Sequence, residues 1–258
     1  MYWHEIIKPS TVNIIVGQKG HGKSALAYYL VEDIAPKHKL LPIIVGFPRE
    51  KQSLLPDGYV IKDIEDALVT ENAMILVDEG TTQLPAGGKL EEFVKACSSL
   101  SRQREQIILF IFHSSRDIGS RILRGIDAVI IKEPSRRQIQ QGAKDKWFRE
   151  TLIAAKEQIS KQEKDKRQYS YVDSENPDYT GLLENPLPSF WNEDLSKAWR
   201  GMQQVQADDA ITGIINDAVV GTKKFPLCSV CNLPAHHSNM VGGKCRECRL
   251  LPQGQAVE

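Results

Sequence analysis

Eight consecutive residues constrain this chain more than any others: Gly17-Gln18-Lys19-Gly20-His21-Gly22-Lys23-Ser24. They fit the pattern G-x-x-x-x-G-K-[ST] at every fixed position. The apolar run at 12–16 before them reads as a strand, and a helical pattern opens at Lys23. Glycines let the backbone wrap closely, so that amide N–H groups point at phosphate oxygens, and the helix N-terminus adds its dipole to the anion site. Lys23 is expected to reach the β- and γ-phosphates of ATP, and the Ser24 hydroxyl to ligate Mg²⁺. With Ala25, the residues from Gly17 to Ser24 make up the expected nucleotide-binding set.

A loop of this kind needs a sheet behind it, and residues 11–132 supply the pattern. Strands are expected at 12–16, 42–46, 73–77, 107–112 and 126–131, and helices at 23–35, 63–70, 89–104 and 120–125. Apolar strands alternating with helices imply βαβ units and a buried parallel sheet. The chain has 258 residues, enough for one full domain and a small appendage at roughly 100–200 residues per domain. Lys and Arg balance Asp and Glu at 33 each, which excludes a uniformly basic coat. Apolar runs such as Ile107–Phe112 have strand length, and none approaches the ~18–20 residues that span a bilayer. No membrane insertion is expected. Met1-Tyr2-Trp3-His4-Glu5 lacks the basic and apolar regions of a secretory signal.

The second half of the expected site is Ala73-Met74-Ile75-Leu76-Val77-Asp78-Glu79. An apolar strand ends in Asp78, placed to hold Mg²⁺ with Ser24, and Glu79 is placed to activate an attacking water. Adjacent Asp and Glu favour hydrolysis over phosphoryl transfer to a small acceptor. His113, Ser114 and Ser115 follow the strand at 107–112. Strand C-termini in open α/β sheets border the ligand crevice. His113 or Ser114 therefore either senses the γ-phosphate or caps the strand towards solvent. Arginines cluster at Arg102, Arg104, Arg116, Arg121 and Arg124. One of them, with Arg102, Arg104 and Arg121 the candidates, is expected to reach a neighbouring subunit's nucleotide; an arginine supplied in trans is worth on the order of 10³–10⁵ in rate.

Together these residues resemble the FtsK/HerA-type branch of P-loop ATPases, including the packaging ATPases of internal-membrane viruses and the Zot-like assembly ATPases of filamentous phages. The resemblance spans roughly residues 10–135, about half of the chain. It rests on the phosphate loop, on Met74 to Glu79, and on the pattern from Ser101-Arg102-Gln103-Arg104 through Ile118, Ile122, Leu123 and Arg124 to Asp127-Ala128-Val129-Ile130-Ile131. The branch often carries Gln at the sensor position, where this chain has His113 or Ser114. The resemblance implies an α/β fold: a RecA/FtsK-like P-loop NTPase parallel sheet flanked by helices. It also implies a homo-oligomeric ring, a pentamer or hexamer, that hydrolyses ATP to package or translocate double-stranded DNA. A capsid or portal-type protein is an implied partner, and the host cytoplasm or the virion an implied location. The filamentous-phage members carry a membrane segment that has no counterpart here. The alternative is a virion-assembly ATPase acting on proteins instead of DNA.

Beyond residue 135 the pattern changes. Residues 132–167 are polar and helical in pattern, with 11 Lys and Arg against 6 Asp and Glu; residues 171–210 have 2 against 8. Pro177, Pro186 and Pro188 make 169–190 read as an extended linker or lid. Phe190, Trp191 and Trp199 look like an anchor on the body or on a neighbouring subunit. Tyr2 and Trp3 either stack on adenine or cover a sheet edge. At the C-terminus, Cys228-x-x-Cys231 and Cys245-x-x-Cys248 are separated by thirteen residues. That spacing signals a four-cysteine, ribbon-like structural Zn²⁺ site. So small a tail cannot fold on apolar burial alone, so zinc would supply its folding energy. Its basic neighbours, Lys223, Lys224, Lys244, Arg246 and Arg249, suit nucleic acid phosphates or a protein partner equally. The expected divisions are 1–135 for the ATPase core, 136–220 for a helical extension with an acidic linker or lid, and 221–258 for the zinc module.

Overall fold

Strands that carry apolar side chains on both faces must be covered from both sides. The computed structural model, which describes residues 2–78, 88–112, 118, 120–141, 145–174, 176–198, 227–231 and 240–245, shows how the chain meets that demand. A short helix α1 (Trp3–Ile6) leads to β1 (Thr11–Val16) and α2 (Lys23–Lys37). Strands β2 (Leu41–Val45) and β3 (Val60–Lys62), helix α3 (Ile64–Leu68) and strand β4 (Ala73–Asp78) follow. Then come α4 (Gly88–Arg104), β5 (Ile107–Phe112), α5 (Ser120–Leu123) and β6 (Ala128–Ile131). The chain continues through α6 (Arg136–Gln141), α7 (Lys146–Ser160), β7 (Tyr169–Ser174), β8 (Gly181–Glu184) and α8 (Glu193–Ser196).

The eight strands form one sheet in the order β3-β2-β4-β5-β1-β6-β7-β8. The first six pair in parallel, and β7 and β8 add antiparallel strands beyond β6. Side-chain alternation sorts the sheet into two buried faces. Val12, Ile14 and Val16 of β1, with Ile75, Val77, Phe110 and Ile131, pack under α3, α4, α5 and α7. Ile15, Met74, Leu76, Leu109, Ile111 and Ile130 pack under α1, α2 and the chain around α8. Helix α7 joins the first face through Phe148, Leu152, Ala155 and Ile159, a spacing of three and four residues that lines one helix side. No helix among the described residues is long and apolar enough to cross a membrane.

The expected strands and helices of 11–132 form, with ends shifted by one or two residues. The segment 169–190 departs from expectation: it is no extended linker. Tyr169 pairs with Glu184 and Val172 with Gly181, while Ile131 pairs with Tyr171. The prolines misled because they stand outside the strands. Pro177 opens the 3₁₀ turn between β7 and β8, and Pro186 and Pro188 follow β8. Such strands alternate faces: Tyr169 and Tyr171 enter one core, Val172 the other. The sheet therefore includes residues well past 135. Phe190 and Trp191 pack on the body, with Tyr28 6.0 Å from each ring and Tyr59 5.6 Å from Phe190; Trp199 lies outside the described residues. Trp3 is buried and donates its indole N–H to the Glu184 carbonyl at 3.4 Å, covering the sheet; Tyr2 is exposed.

Candidate functional site

Parallel strands bring their C-terminal ends to one edge. Val16 is in register with Phe112 and with Ile131, and Asp78 with Ile111. Gly17 and Asp78 thus leave the same edge with only β5 between their strands. Strands lie about 4.8 Å apart, so roughly 10 Å separates the two strand ends. The first turn of α2 closes that gap. The Ser24 hydroxyl donates to Asp78 Oδ2 at 3.0 Å. A hydroxyl and a carboxylate are hard oxygen donors of the kind Mg²⁺ takes, so the pair expected to hold the metal fits it. Lys23 folds back over the loop, its ammonium donating to the carbonyls of Gly17 at 2.9 Å and Gln18 at 3.2 Å. Gly22 holds the α2 N-cap with φ 75°, a left-handed conformation that glycine adopts without strain. It has no side chain to bond the first-turn amides, and the helix dipole there favours an anion.

The loop is also braced from behind, by residues that sequence reading did not single out. Lys132 N–H donates to the Val16 carbonyl at 2.8 Å, and Gln18 N–H to the Glu133 carbonyl at 3.2 Å. A Cβ on Gly17 would stand 2.7 Å from Lys132 Cβ, so only glycine fits there. Lys132 is fully buried. Burial pushes its ammonium down to about 7, against the opposing charge of Asp165. Glu133 accepts from Lys156 and stands 3.4 Å from His21 Nδ1. Burial raises the Glu133 carboxyl, but the Lys156 ammonium, with His21 and Lys166, outweighs this and holds it below the ordinary range. Burial lowers the His21 imidazole, and Glu133 opposes that shift. Lys19, Gly20 and Ala25 lie on the loop and the first turn of α2 as expected.

Other expected residues fall elsewhere. Glu79, His113, Ser114, Ser115, Arg116 and the side chain of Arg121 lie outside the described residues. Arg102 and Arg104 end α4, at the sheet edge where β5 begins. Thr11 pairs with Ile107 there, so the length of a six-residue strand, about 20 Å, separates them from the phosphate loop. Arg104 donates to the Val69 carbonyl at 2.8 Å, and Arg102 is exposed. They therefore stand away from the loop of their own chain.

Three of the four expected zinc ligands gather. Cys228, Cys231 and Cys245 offer sulfurs all within 4.8 Å of one another; Cys248 lies outside the described residues. Val230 N–H donates to Cys228 Sγ at 3.4 Å and Cys245 N–H at 3.3 Å. Burial raises the Cys228 thiol, and these amides, with that of Cys231, overcome it and bring it down to about 6. A thiolate is the form that binds metal, and three soft sulfurs in a cluster fit Zn²⁺. Cys97 faces the core from α4 and is a buried thiol, as expected, with burial raising its pKa.

Solved structures share features of this fold at low sequence identity. It is similar to B204, the DNA-packaging ATPase from Sulfolobus Turreted Icosahedral Virus, at 14% identity over 70% of this chain and 100% of that one, with a TM-score of 0.49. B204 from Sulfolobus turreted icosahedral virus 2, in complex with ATP-gammaS, shares 12% identity over 70% of this chain and 98% of that one, with a TM-score of 0.44. ATPases 2 and 3 of EssC from Geobacillus thermodenitrificans share 13% over 80% of this chain and 44% of that one, also at 0.44. No protein-family model matches the chain, and no curated protein matches it.

One signal could have exposed the brace. Lys132 directly follows an all-apolar strand whose C-terminal end must reach the loop edge. A charge there, with β1 as neighbour, has to be buried and paired. Its partners Arg167, Tyr169 and Asn185 are 35 to 53 residues away, and no local pattern announces them.

Proposed function

We propose that this chain is a Mg²⁺-dependent ATPase that works as a ring oligomer to translocate or package double-stranded DNA. The observation that carries the ATPase reading is the Ser24–Asp78 contact at 3.0 Å, made beside a glycine loop at the head of α2. It joins a phosphate cradle to a metal-binding carboxylate at one sheet edge. In this reading Lys23 turns from the loop carbonyls to the β- and γ-phosphates. Ser24 and Asp78 hold Mg²⁺, which would offset phosphate charge. Glu79, next in the chain, takes a proton from the attacking water. His113 or Ser114, after β5, reports on the γ-phosphate, and Arg102, Arg104 or Arg121 of one subunit serves its neighbour. The DNA cargo and the ring come from the FtsK/HerA resemblance of the sequence, with the exposed charges of the basic stretch 132–167 as a candidate contact.

A protein cargo is the second reading, favoured by the cysteine cluster. Leu227, Val230 and Val241 are exposed beside it, and apolar groups suit a protein partner better than phosphates. Steady-state ATP hydrolysis with and without long double-stranded DNA, over a range of salt, separates the two. Stimulation that falls steeply with salt and vanishes in Glu79→Gln is expected for a DNA motor. Hydrolysis indifferent to DNA selects the assembly ATPase.

A further inference from the structure

The course of the Lys132 side chain is unusual for a buried cation. It starts under Gly17, whose missing Cβ would meet Lys132 Cβ at 2.7 Å, and passes under Gly22, whose missing Cβ would lie 4.0 Å from Lys132 Cε. It therefore runs beneath the phosphate loop from its first glycine to its last. On the far side its ammonium donates to three oxygens, the Arg167 carbonyl at 2.6 Å, the Tyr169 carbonyl at 2.8 Å and Asn185 Oδ1 at 3.1 Å. An ammonium has three protons, and each finds an acceptor. Asn185 is fixed in turn: its Oδ1 accepts from Ser170 Oγ at 2.6 Å, and its Nδ2 donates to the Arg167 carbonyl at 3.1 Å. The Arg167 carbonyl also lies 3.7 Å from the Cβ position of Gly22. The loop thus rests on a charged bar whose end is locked into the β7–β8 pair. None of these acceptor atoms belongs to the loop.

We propose that Lys132 is a positioning residue of the phosphate site: its tether to Asn185 and the β7 entry holds the glycine loop in the shape that receives a triphosphate. The proposal rests on reading residues 17–24 as a triphosphate loop. It gives the two antiparallel strands a role beyond extending the sheet, since they carry the socket for the bar. It also explains a buried charge that the chemistry of hydrolysis does not use. Methionine keeps the methylene packing under Gly17 and Gly22 but has no ammonium to lock. The loop of Lys132→Met should therefore lose its fixed shape and keep its floor.

The test is nucleotide binding and steady-state ATP hydrolysis by full-length wild type, Lys132→Met and Asn185→Leu, each with its thermal unfolding midpoint. Gln106→Leu serves as a control. It disrupts a buried hydrogen-bonded side chain at the opposite sheet edge, where Gln106 Nε2 donates to the carbonyls of Leu68 at 3.0 Å and Thr70 at 2.6 Å. A misplaced binding group loses on the order of 10- to 100-fold. Lys132→Met should raise Kd and KM for ATP by at least about tenfold with kcat within about twofold, a uniform-binding loss. Asn185→Leu should shift KM in the same direction by less, and Gln106→Leu should lower the midpoint with KM unchanged. Should Lys132→Met fail to fold, Asn185→Leu decides the matter by the same readout. Unchanged KM in folded Lys132→Met, or in Asn185→Leu where only that variant folds, overturns the proposal and leaves the ATPase reading intact. A KM shift as large in Gln106→Leu overturns it as well, since general destabilisation then explains the effect. A wild type that binds no nucleotide overturns the phosphate-loop reading itself, and the proposal with it.

Discussion

At the scale of single residues, glycine and its neighbours decide the loop. Gly17→Ala places a Cβ 2.7 Å from Lys132 Cβ and 2.8 Å from the Lys132 carbonyl oxygen, and the second of these is backbone that cannot swing away. Such overpacking costs about 1–3 kcal/mol. Chemical denaturation should show that loss, and ATP affinity should fall with it. Gly20→Ala meets no atom within 4 Å; its penalty is the positive φ of 80° alone, and the expected loss is smaller. Glu133 supplies a pH dependence. Its folded carboxyl lies below the ordinary 4.5 because the Lys156 contact outweighs burial. The unfolded chain therefore binds more protons just below pH 4.5, and the ion pair contributes stability above that value that is lost as pH falls through the folded value. Between pH 7 and pH 4, Glu133→Gln should lose less stability than wild type. An identical loss in the two proteins would remove Glu133 from the balance.

At the scale of elements, the sequence carried the parallel half of the fold plainly. Runs such as Ile107 to Phe112 are apolar on both faces, and burial on both faces dictates a central strand. The strand–loop–helix order around Gly17 then fixes which end of the sheet holds the site. What escaped notice was short or polar. Strand β3 has three residues and ends in a lysine. Strands β7 and β8 are separated by a proline turn and lie in an acidic segment. Their pairing is set by β6, and a strand's place beside a distant partner leaves no local trace. The same reason hid Lys132 and Asn185, whereas Ser24 and Asp78 were legible because each sits in a motif with its own spacing. The cysteine cluster was legible from spacing alone, and it carries its own prediction. If the cluster holds Zn²⁺ as proposed, a strong chelator should abolish the chemical-shift dispersion of the segments around Cys228, Cys231 and Cys245. The dispersion of the eight-stranded sheet should persist, because its hydrophobic faces do not include Cys228, Cys231 or Cys245.

At the scale of the whole molecule, the two ends of the sheet carry different side chains. One edge gathers Gly17, Ser24, Asp78 and the Lys132 bar; the other presents Arg102 and Arg104 at the end of α4. On the proposed reading, with nucleotide at the first edge, Arg102 and Arg104 could complete a site only in a neighbouring copy. Mixing Arg102→Ala subunits, which keep an intact phosphate loop, with Lys23→Ala subunits, which keep the arginine, should restore part of the turnover that each lacks alone. No recovery in mixtures shown to co-assemble would rule out Arg102 as the residue supplied in trans. The measurement that bears most directly on the central claim is Mg²⁺-dependent ATP hydrolysis by wild type, Lys23→Ala and Asp78→Asn. Turnover that needs Mg²⁺ and falls by at least about 10²-fold in both variants is the expected result, on the scale of losing one group that stabilises transition-state charge. Turnover that persists in both variants, or a wild type with no hydrolysis under any nucleotide and metal condition, would contradict it.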